Sequence, residues 1–246
     1  MANTSKKPLW ISHRGHTAHA PENTRAAFFA AVNMGFSALE TDLRLTKDGH
    51  LVLCHDPTLR RLAGDRRRVN DLTRKEIEGL RLAHGEKFLF FDQFAEQFKD
   101  CTWTLDIKPE NGKQTISALA AWAEKNNYKK KLVKQAKFLC WRAAHELHLK
   151  QGFPGARCYA QRAECWRAGL AVVLKVPFLG DIRPGRTYAL PARIGRFFLF
   201  QPSVVKIFHQ KNARVIAFLP PTEFLARQAV MAGCDEILTN GRIISY

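Results

Sequence analysis

The feature that most constrains the fold is a regular alternation of short apolar segments and helical patterns along the 246-residue chain. Alternating strands and helices are typical of a parallel sheet with its helices on the outside. About eight such units in a chain of this length favour a closed α/β barrel over an open sheet. Strands are predicted at residues 9–12, 37–43, 51–54, 103–107, 136–140, 156–159, 170–174, 214–218 and 236–239.

Helices are predicted between these strands, and the first begins after a cap at Asn23 or Thr24. Others are predicted at residues 114–125, 141–150 and 222–232. Residues 175–206 hold four prolines and three glycines, and the pattern there places no strand. No linker, low-complexity tract or repeat divides the chain, so we expect a single domain over residues 1–246.

The composition is that of an ordinary globular protein, with 46% hydrophobic and 25% charged residues. Its six cysteines are scattered, without the paired spacing of a zinc site, and are expected to be reduced core thiols. No apolar run is long enough to span a membrane, and the basic start of the chain lacks the apolar region of a signal peptide. We therefore expect a cytoplasmic protein.

The net charge is unusual, because 39 Lys and Arg residues outnumber 22 Asp and Glu residues to give +17. Such a surface attracts anionic partners, which include phosphate esters, anionic membranes and nucleic acids. The basic residues do not interleave with aromatic ones as a stacking platform for nucleic acid requires. We therefore expect a small-molecule phosphodiester as the partner, with peripheral contact to an anionic membrane and no specific nucleic acid.

Polar side chains collect where the first predicted strands end. His13 follows the first strand, and Glu40 and Asp42 stand two apart on the second, so both carboxylates face the same side. His55 closes the short third segment, and Asp106 lies on the next strand. In a parallel α/β barrel the strand ends open onto one face, where functional groups collect. We therefore expect these five side chains to form one site.

The residue types in this set indicate phosphodiester chemistry. Three carboxylates offer the hard oxygen ligands that Mg²⁺ and Ca²⁺ prefer. Two imidazoles supply an acid and a base near neutral pH. Arg14 and Lys108 supply positive charge for a phosphoryl group.

Short motifs carrying these residues follow one another in a fixed order. They are His13-Arg14-Gly15, Pro21-Glu22-Asn23-Thr24, Glu40-x-Asp42, Thr46-Lys47-Asp48-Gly49, His55-Asp56 and Leu105-Asp106-Ile107-Lys108. In this order they closely resemble the signature of the glycerophosphodiester phosphodiesterase family, part of the PLC-like phosphodiesterase superfamily. The resemblance is dense over residues 11–60 and recognisable to about residue 110.

The resemblance implies a TIM-type (β/α)8 barrel with a small insertion after strand 2, at about residues 46–95. It also implies hydrolysis of a glycerophosphodiester to glycerol 3-phosphate and an alcohol. The matching site positions are His13 and His55 for acid–base catalysis, Glu40, Asp42 and Asp106 for the metal, and Arg14 and Lys108 for the phosphate. Glu22 and Asn23 are expected to brace the loop after the first strand.

Three departures from the family pattern concern the metal and the alcohol side of the site. The family more often has Glu where this chain has Asp106. Ala217-Phe218-Leu219-Pro220 stands in place of a Trp-Thr-x-Asn motif, which makes Phe218 the candidate substrate-binding aromatic. The final Thr-Asp of the family is Thr239-Asn240 here. We therefore predict an altered preference for the alcohol.

Several alternatives stay open from the sequence. The same site suits a lysophospholipase D acting at membranes, and the charge also suits a basic nucleic-acid-binding protein. The altered end of the chain is compatible with a family member that binds without catalysis. Water and a neighbouring substrate hydroxyl are both candidate nucleophiles, and either histidine is a candidate base. The sequence does not choose between Mg²⁺ and Ca²⁺.

Overall fold

The computed structural model describes residues 7–244, in which strands and helices alternate. The strands are β1 (Leu9–His13), β2 (Ala38–Leu45), β3 (Leu51–Leu53), β4 (Thr102–Ile107), β5 (Ala136–Cys140), β6 (Arg157–Cys158), β7 (Thr187–Leu190), β8 (Arg193–Ile194), β9 (Phe197–Phe198), β10 (Arg214–Phe218) and β11 (Glu236–Thr239). The α-helices are α1 (Arg25–Asn33), α2 (Arg60–Ala63), α3 (Arg74–Glu78), α4 (Phe91–Gln97), α5 (Gly112–Lys125), α6 (Lys129–Gln135), α7 (Ala143–Gly152), α8 (Arg162–Val173), α9 (Pro202–Gln210) and α10 (Glu223–Met231). Short 3₁₀ helices cover Val69–Asp71, Ala83–Gly85 and Pro177–Gly180.

The chain divides by its internal contacts into two compact units. The larger unit contains residues 12–157, and the smaller unit contains residues 7–11 and 158–244 of the described chain. The single domain over residues 1–246 and the insertion at about residues 46–95 stay predictions.

The sheet of the larger unit is built around β2. This strand pairs in parallel with β4, and β4 pairs in parallel with β5. Seven of the eight β2 residues are buried, as in a strand covered on both faces. The polar residues on β2 are therefore held in a protein interior rather than in open solvent.

The helix α1 begins where the sequence predicts. Thr24 is its N-cap, and the Thr24 hydroxyl accepts a hydrogen bond from the Ala27 N–H. The helix buries Ala27, Phe28 and Ala31, which follow a three-to-four residue spacing. This burial fixes the end of the β1–α1 loop that leads into the helix.

The segment between β2 and β4 returns along β2 as the antiparallel strand β3, with Leu53 opposite Leu43. It then forms a small hydrophobic core of its own. The buried members of this core are Val52, Cys54, Leu59, Val69, Leu72, Ile77, Leu82, Phe88 and Phe90. Two phenylalanines of the aromatic stretch at residues 88–91, Phe88 and Phe90, thus serve packing.

The smaller unit contains a second set of parallel strands. There β10 pairs in parallel with β7 on one side and with β11 on the other. The Leu9 N–H donates to the Asp235 carbonyl, next to β11. The predicted strands at residues 214–218 and 236–239 are confirmed.

The predicted strand at residues 170–174 is wrong, because α8 covers most of it and Leu174 caps the helix. A short apolar run is compatible with either element, since periodicity alone cannot separate a buried strand from a helix. In α8, Ala168, Ala171 and Val172 are buried at helical spacing. The strand of this region is β7, within the segment where the sequence placed none.

No disulfide joins the six cysteines, which all lie within the described residues. All but the half-buried Cys165 are buried, which agrees with reduced core thiols. Within residues 7–244, no helix has the length and apolar character needed to cross a membrane.

Candidate active site

Three buried carboxylates meet in the larger unit, two from the middle of β2 and one near the carboxyl end of β4. Glu40 and Asp42 lie two apart on β2, and the parallel register sets Asp42 beside Asp106 of β4. One oxygen from each carboxylate lies within 4.8 Å of the others. Each of the three residues is at most 5% exposed. The predicted acidic residues are therefore close enough to share one cation.

Lys108 lies between two of these carboxylates. Its Nζ is 2.6 Å from an oxygen of Asp42 and 2.6 Å from an oxygen of Asp106. Lys108 is also only 4% exposed, and burial by itself acts to lower the pKa of its ammonium group. The two carboxylates outweigh burial and raise that pKa. Lys108 is therefore a fixed positive charge inside the site.

The three carboxyl groups differ in their preferred charge. Burial, with the charges of Asp42 and Asp106, raises the pKa of Glu40 well above its usual range. Burial also raises the pKa of Asp106, although Lys108 opposes it. Burial acts in the same direction on Asp42, but Lys108 and then Arg14 outweigh it and lower the pKa of this group. Asp42 is thus the carboxylate most firmly held in its ionised form.

The turn after β1 places His13 and Arg14 against this cluster. His13 Nε2 lies 3.8 Å from Glu40 Oε2, and the Arg14 N–H donates to the Glu40 carbonyl at 3.0 Å. Arg14 has a φ of 58° and Gly15 a φ of 82°, both in the left-handed region. A Cβ at Gly15 would also lie 2.6 Å from the backbone of Ala27, so only glycine fits there.

Arg14 and Asn23 both hold the Asp42 carboxylate. Arg14 Nε lies 3.0 Å from Asp42 Oδ2, and Asn23 Nδ2 donates to the same oxygen at 2.8 Å. The Asn23 amide oxygen in turn accepts from the Thr41 hydroxyl. Asn23 therefore does more than the sequence suggested, because it orients a candidate metal ligand as well as bracing its loop.

His55 has a different structural setting from the one that the sequence predicted. It follows the antiparallel strand β3 instead of a parallel one, and the N–H of the preceding Cys54 donates to the Asp42 carbonyl. His55 Nδ1 lies 2.8 Å from Asp56 Oδ1. The Asp56 carboxylate thereby orients the His55 ring through Nδ1.

Arg61 connects the two histidine-bearing loops. It donates from Nε to Asp56 at 2.6 Å and makes two hydrogen bonds to Glu22, at 2.6 and 3.0 Å. Glu22 also accepts from Arg14 at 3.3 Å. The chain of contacts from His55 to Arg14 therefore braces both loops, as the sequence predicted for Glu22.

Trp141 is a site residue that sequence reasoning missed. It follows β5 directly, and its indole Nε1 donates to Asp106 Oδ1 at 2.7 Å. The Lys108 ammonium lies 5.8 Å from the centre of the Trp141 ring. The side chain is 41% exposed, so one part of the ring is open to solvent. Its position at a strand end was the signal available, but the pattern assigned it to a helix.

The two candidate residues on the alcohol side lie in the smaller unit. Phe218 ends β10 and is 45% exposed, and Asn240 follows β11. The role of Phe218 in binding the alcohol stays a prediction.

The donor set fits a divalent cation. Three closely spaced carboxylates are hard oxygen ligands, and two of them have raised pKa values that a cation would offset. Lys108 and Arg14 supply further positive charge at the same place. A buried acidic site for a cation, with a histidine beside it, is the class of site that this arrangement defines.

Comparison with known proteins gives the family. The sequence pattern of the glycerophosphoryl diester phosphodiesterase family matches residues 13–241. The chain belongs to this family, as its motifs predict.

Curated relatives match over about a third of the chain. A glycerophosphodiester phosphodiesterase of Caldanaerobacter subterraneus is 46% identical over 84 residues, which are 33% of this chain and 35% of that protein. A lysophospholipase D of Rattus norvegicus is 45% identical over 67 residues, which are 27% of this chain and 21% of that protein. The chain thus matches at most about a third of the length of these relatives.

Solved structures extend the likeness to nearly the whole chain. The glycerophosphoryl diester phosphodiesterase domain of an uncharacterized Mycobacterium tuberculosis protein has a TM-score of 0.79 at 19% identity, covering 96% of this chain and 97% of that one. A glycerophosphodiester phosphodiesterase structure from Galdieria sulphuraria has a TM-score of 0.75 at 21% identity, covering 97% and 96%. This likeness confirms the fold class, a TIM-type (β/α)8 barrel.

Proposed function

We propose that the protein hydrolyses a glycerophosphodiester to glycerol 3-phosphate and an alcohol, with the help of Mg²⁺ or Ca²⁺. The observation that carries the proposal is the buried cluster of Glu40, Asp42 and Asp106, with one oxygen from each within 4.8 Å of the others. Carboxylates this close repel one another unless positive charge lies among them. A phosphodiester next to them needs the same positive charge.

The two positively charged side chains of the site, Arg14 and Lys108, hold the phosphate. Arg14 has a planar group able to bind two phosphate oxygens, and Lys108 acts as a point charge. Both already lie against Asp42, which fixes their positions before substrate arrives. Glu40, Asp42 and Asp106 would hold the divalent cation, which when bound polarises a phosphoryl oxygen.

The two histidines move the protons of the reaction. One accepts a proton from the nucleophile, and the other gives a proton to the departing alkoxide. For His55 the exchanging atom is Nε2, because Asp56 holds Nδ1 at 2.8 Å. Water and the neighbouring hydroxyl of the glycerol are both compatible nucleophiles, and the second would first give a cyclic phosphate.

The reaction is tested by supplying glycerophosphocholine to the purified protein with Mg²⁺, with Ca²⁺ and with a chelator. We expect release of choline and glycerol 3-phosphate with a divalent cation and none with the chelator, because the cation that would polarise the phosphoryl oxygen is then absent. Phosphorus NMR follows both the product and any cyclic intermediate. Hydrolysis that continues unchanged in excess chelator would contradict the role given to the acidic cluster.

A second substrate class is favoured by one relative, whose name is lysophospholipase D. Lysophosphatidylcholine carries the same phosphodiester and glycerol but adds an acyl chain. Assaying it beside glycerophosphocholine separates the two proposals. A kcat/KM that is higher for the acylated substrate would assign the protein to the second class.

We propose that Trp141 positions Asp106, whose side chain is one methylene shorter than the Glu that the family more often has at this position. Replacing Trp141 with Phe keeps an aromatic ring but removes the N–H that holds Asp106 Oδ1. We expect Mg²⁺ or Ca²⁺ to bind about 10–100-fold more weakly, as for other partners of metal ligands. Titration calorimetry measures this directly, without turnover.

Trp166→Phe is the matched control for this experiment, because Trp166 is 51% exposed and lies on α8. Its cation affinity is expected to equal that of the unmodified protein. An unchanged affinity in Trp141→Phe would remove Trp141 from the site.

A further inference from the structure

The helix α8 turns its largest apolar side chains toward solvent. Trp166, Leu170 and Leu174 recur at every fourth position and therefore share one face of the helix. They are 51%, 47% and 60% exposed. The side that the helix buries carries small residues instead, such as Ala168 and Ala171. This is the reverse of the usual arrangement, in which the large apolar residues face the core.

The 3₁₀ helix Pro177–Gly180 adds two more exposed apolar side chains. Phe178 is 75% exposed and Leu179 is 62% exposed. This short helix packs tightly on α8, because a Cβ at Gly180 would lie 3.2 Å from the Cβ of Ala171. We call the five exposed residues the apolar face; they are Trp166, Leu170, Leu174, Phe178 and Leu179.

Positive charge surrounds the apolar face in the sequence. Residues 162–197 contain seven Lys or Arg residues but only two acidic ones. Both acidic residues already bind arginine, since Glu164 pairs with Arg186 and Asp181 pairs with Arg167. The net charge available to a partner of this segment is therefore positive.

Nearby basic residues are exposed together with the apolar ones. Arg162 begins α8, and Lys175 follows its end. Arg193 and Arg196 lie in the β8–β9 hairpin, whose Ile194 would be 3.0 Å from a Cβ at Gly169 of α8. The hairpin thus packs on the same helix. All four basic side chains are exposed.

We propose that the apolar face is a docking surface for an anionic lipid membrane. Exposed Trp, Phe and Leu side chains bordered by Lys and Arg are typical of segments that lie in a membrane interface, with apolar groups among the acyl chains and cations at the headgroups. Large exposed apolar surfaces often mark sites of interaction with a protein or a membrane.

Charge favours a membrane over a second copy of this chain. A two-fold contact would set the apolar face of one copy against the same face of the other. The positive residues around it would then face each other, and like charges across an interface are unfavourable. An anionic bilayer instead offers the opposite charge over a wide area. This inference does not depend on the proposed reaction, because it concerns binding alone.

The proposal is tested by sedimenting the full chain with vesicles of phosphatidylcholine alone or mixed in equal parts with phosphatidylglycerol. We expect binding to the anionic vesicles that falls as salt is raised, and little binding to the neutral ones. Changing Phe178 and Leu179 together to Ser is expected to weaken binding by at least about tenfold, because two large apolar groups are lost. Changing Arg193 and Arg196 to Gln is expected to weaken it by roughly fivefold for each charge.

The matched control changes Phe224 and Met231 of α10 to Ser, since these residues are 67% and 72% exposed in the same unit. This control is expected to bind vesicles as the unmodified protein does. Equal loss in the control, or equal binding to neutral and anionic vesicles, would overturn the proposal. The proposal would also be overturned if light scattering showed that the unmodified protein is a dimer and the Phe178/Leu179 variant a monomer, because the apolar face would then join two copies. The Arg193/Arg196 variant keeps the test decisive if the apolar variant does not fold.

Discussion

Replacing either His13 or His55 with Ala is expected to lower kcat by about 10²–10⁴-fold, the usual contribution of one positioned proton-transfer group. His13 lies beside Glu40, and His55 is oriented by Asp56. Each substitution would remove one of the two proposed proton carriers. Steady-state hydrolysis of glycerophosphocholine measures the effect. The two single variants are expected to lose different limbs of the pH–rate profile, which would assign the base and the acid.

His84→Asn serves as the control, because His84 is exposed and its φ of 60° suits Asn. Its kcat is expected to equal that of the unmodified protein. Thermal unfolding of all three variants separates lost chemistry from lost folding. A His13→Ala protein with full activity and normal stability would remove His13 from the mechanism.

Replacing Lys108 with Met is expected to destabilise the cation-free protein by about 3–5 kcal/mol, because it leaves a buried charge without its partner. Lys108 lies 2.6 Å from both Asp42 and Asp106, which would then repel each other in a buried site. Mg²⁺ or Ca²⁺ is expected to restore much of the lost stability, since a divalent cation supplies the missing positive charge. Thermal melts with and without cation measure both effects.

The pH dependence of this variant has a definite sign. Lys108 is the strongest of the groups that lower the pKa of Asp42 and of Asp106, so its removal is expected to raise both folded-state pKa values and to let the folded variant bind more protons than the unmodified protein. Its stability deficit is therefore expected to shrink as the pH falls. Lys150→Met is the control, because Lys150 is an exposed partner of Glu146 and its loss should change stability by less than about 1 kcal/mol. A cation that stabilises the Lys108 variant no more than it stabilises the control would contradict this account.

The part of the site that the sequence predicted depends on short-range geometry. Glu40 and Asp42 share a face because strand residues two apart always do. Asp106 joins them because consecutive parallel strands end at the same side, and here the register sets it beside Asp42. The start of helix α1 was also predictable from nearby residues, because Thr24 directly precedes the helix and caps it. Ordered motifs sufficed for this half of the site.

The parts of the site and fold that the sequence did not predict depend on contacts between residues far apart in the chain. Trp141 reaches Asp106 across 35 residues, and Arg61 reaches Glu22 across 39. No spacing rule connects such pairs, because they meet only after the strands pair. The prediction of a strand at residues 170–174 failed for a related reason, because the burial that favours a helix there comes from tertiary packing. The direction of β3 was also set by pairing with β2 and not by its own residues.

The small core between β2 and β4 gives this segment a role that a surface loop does not have. Val52 and Cys54 are members of that core, and the next residue is His55. Trimming the segment to a plain hairpin would uncover these side chains and release the backbone on which His55 stands. Redesign of this region for new substrates therefore has to keep its interior intact while varying its outer surface, in the way that an antibody framework is kept while its loops are changed.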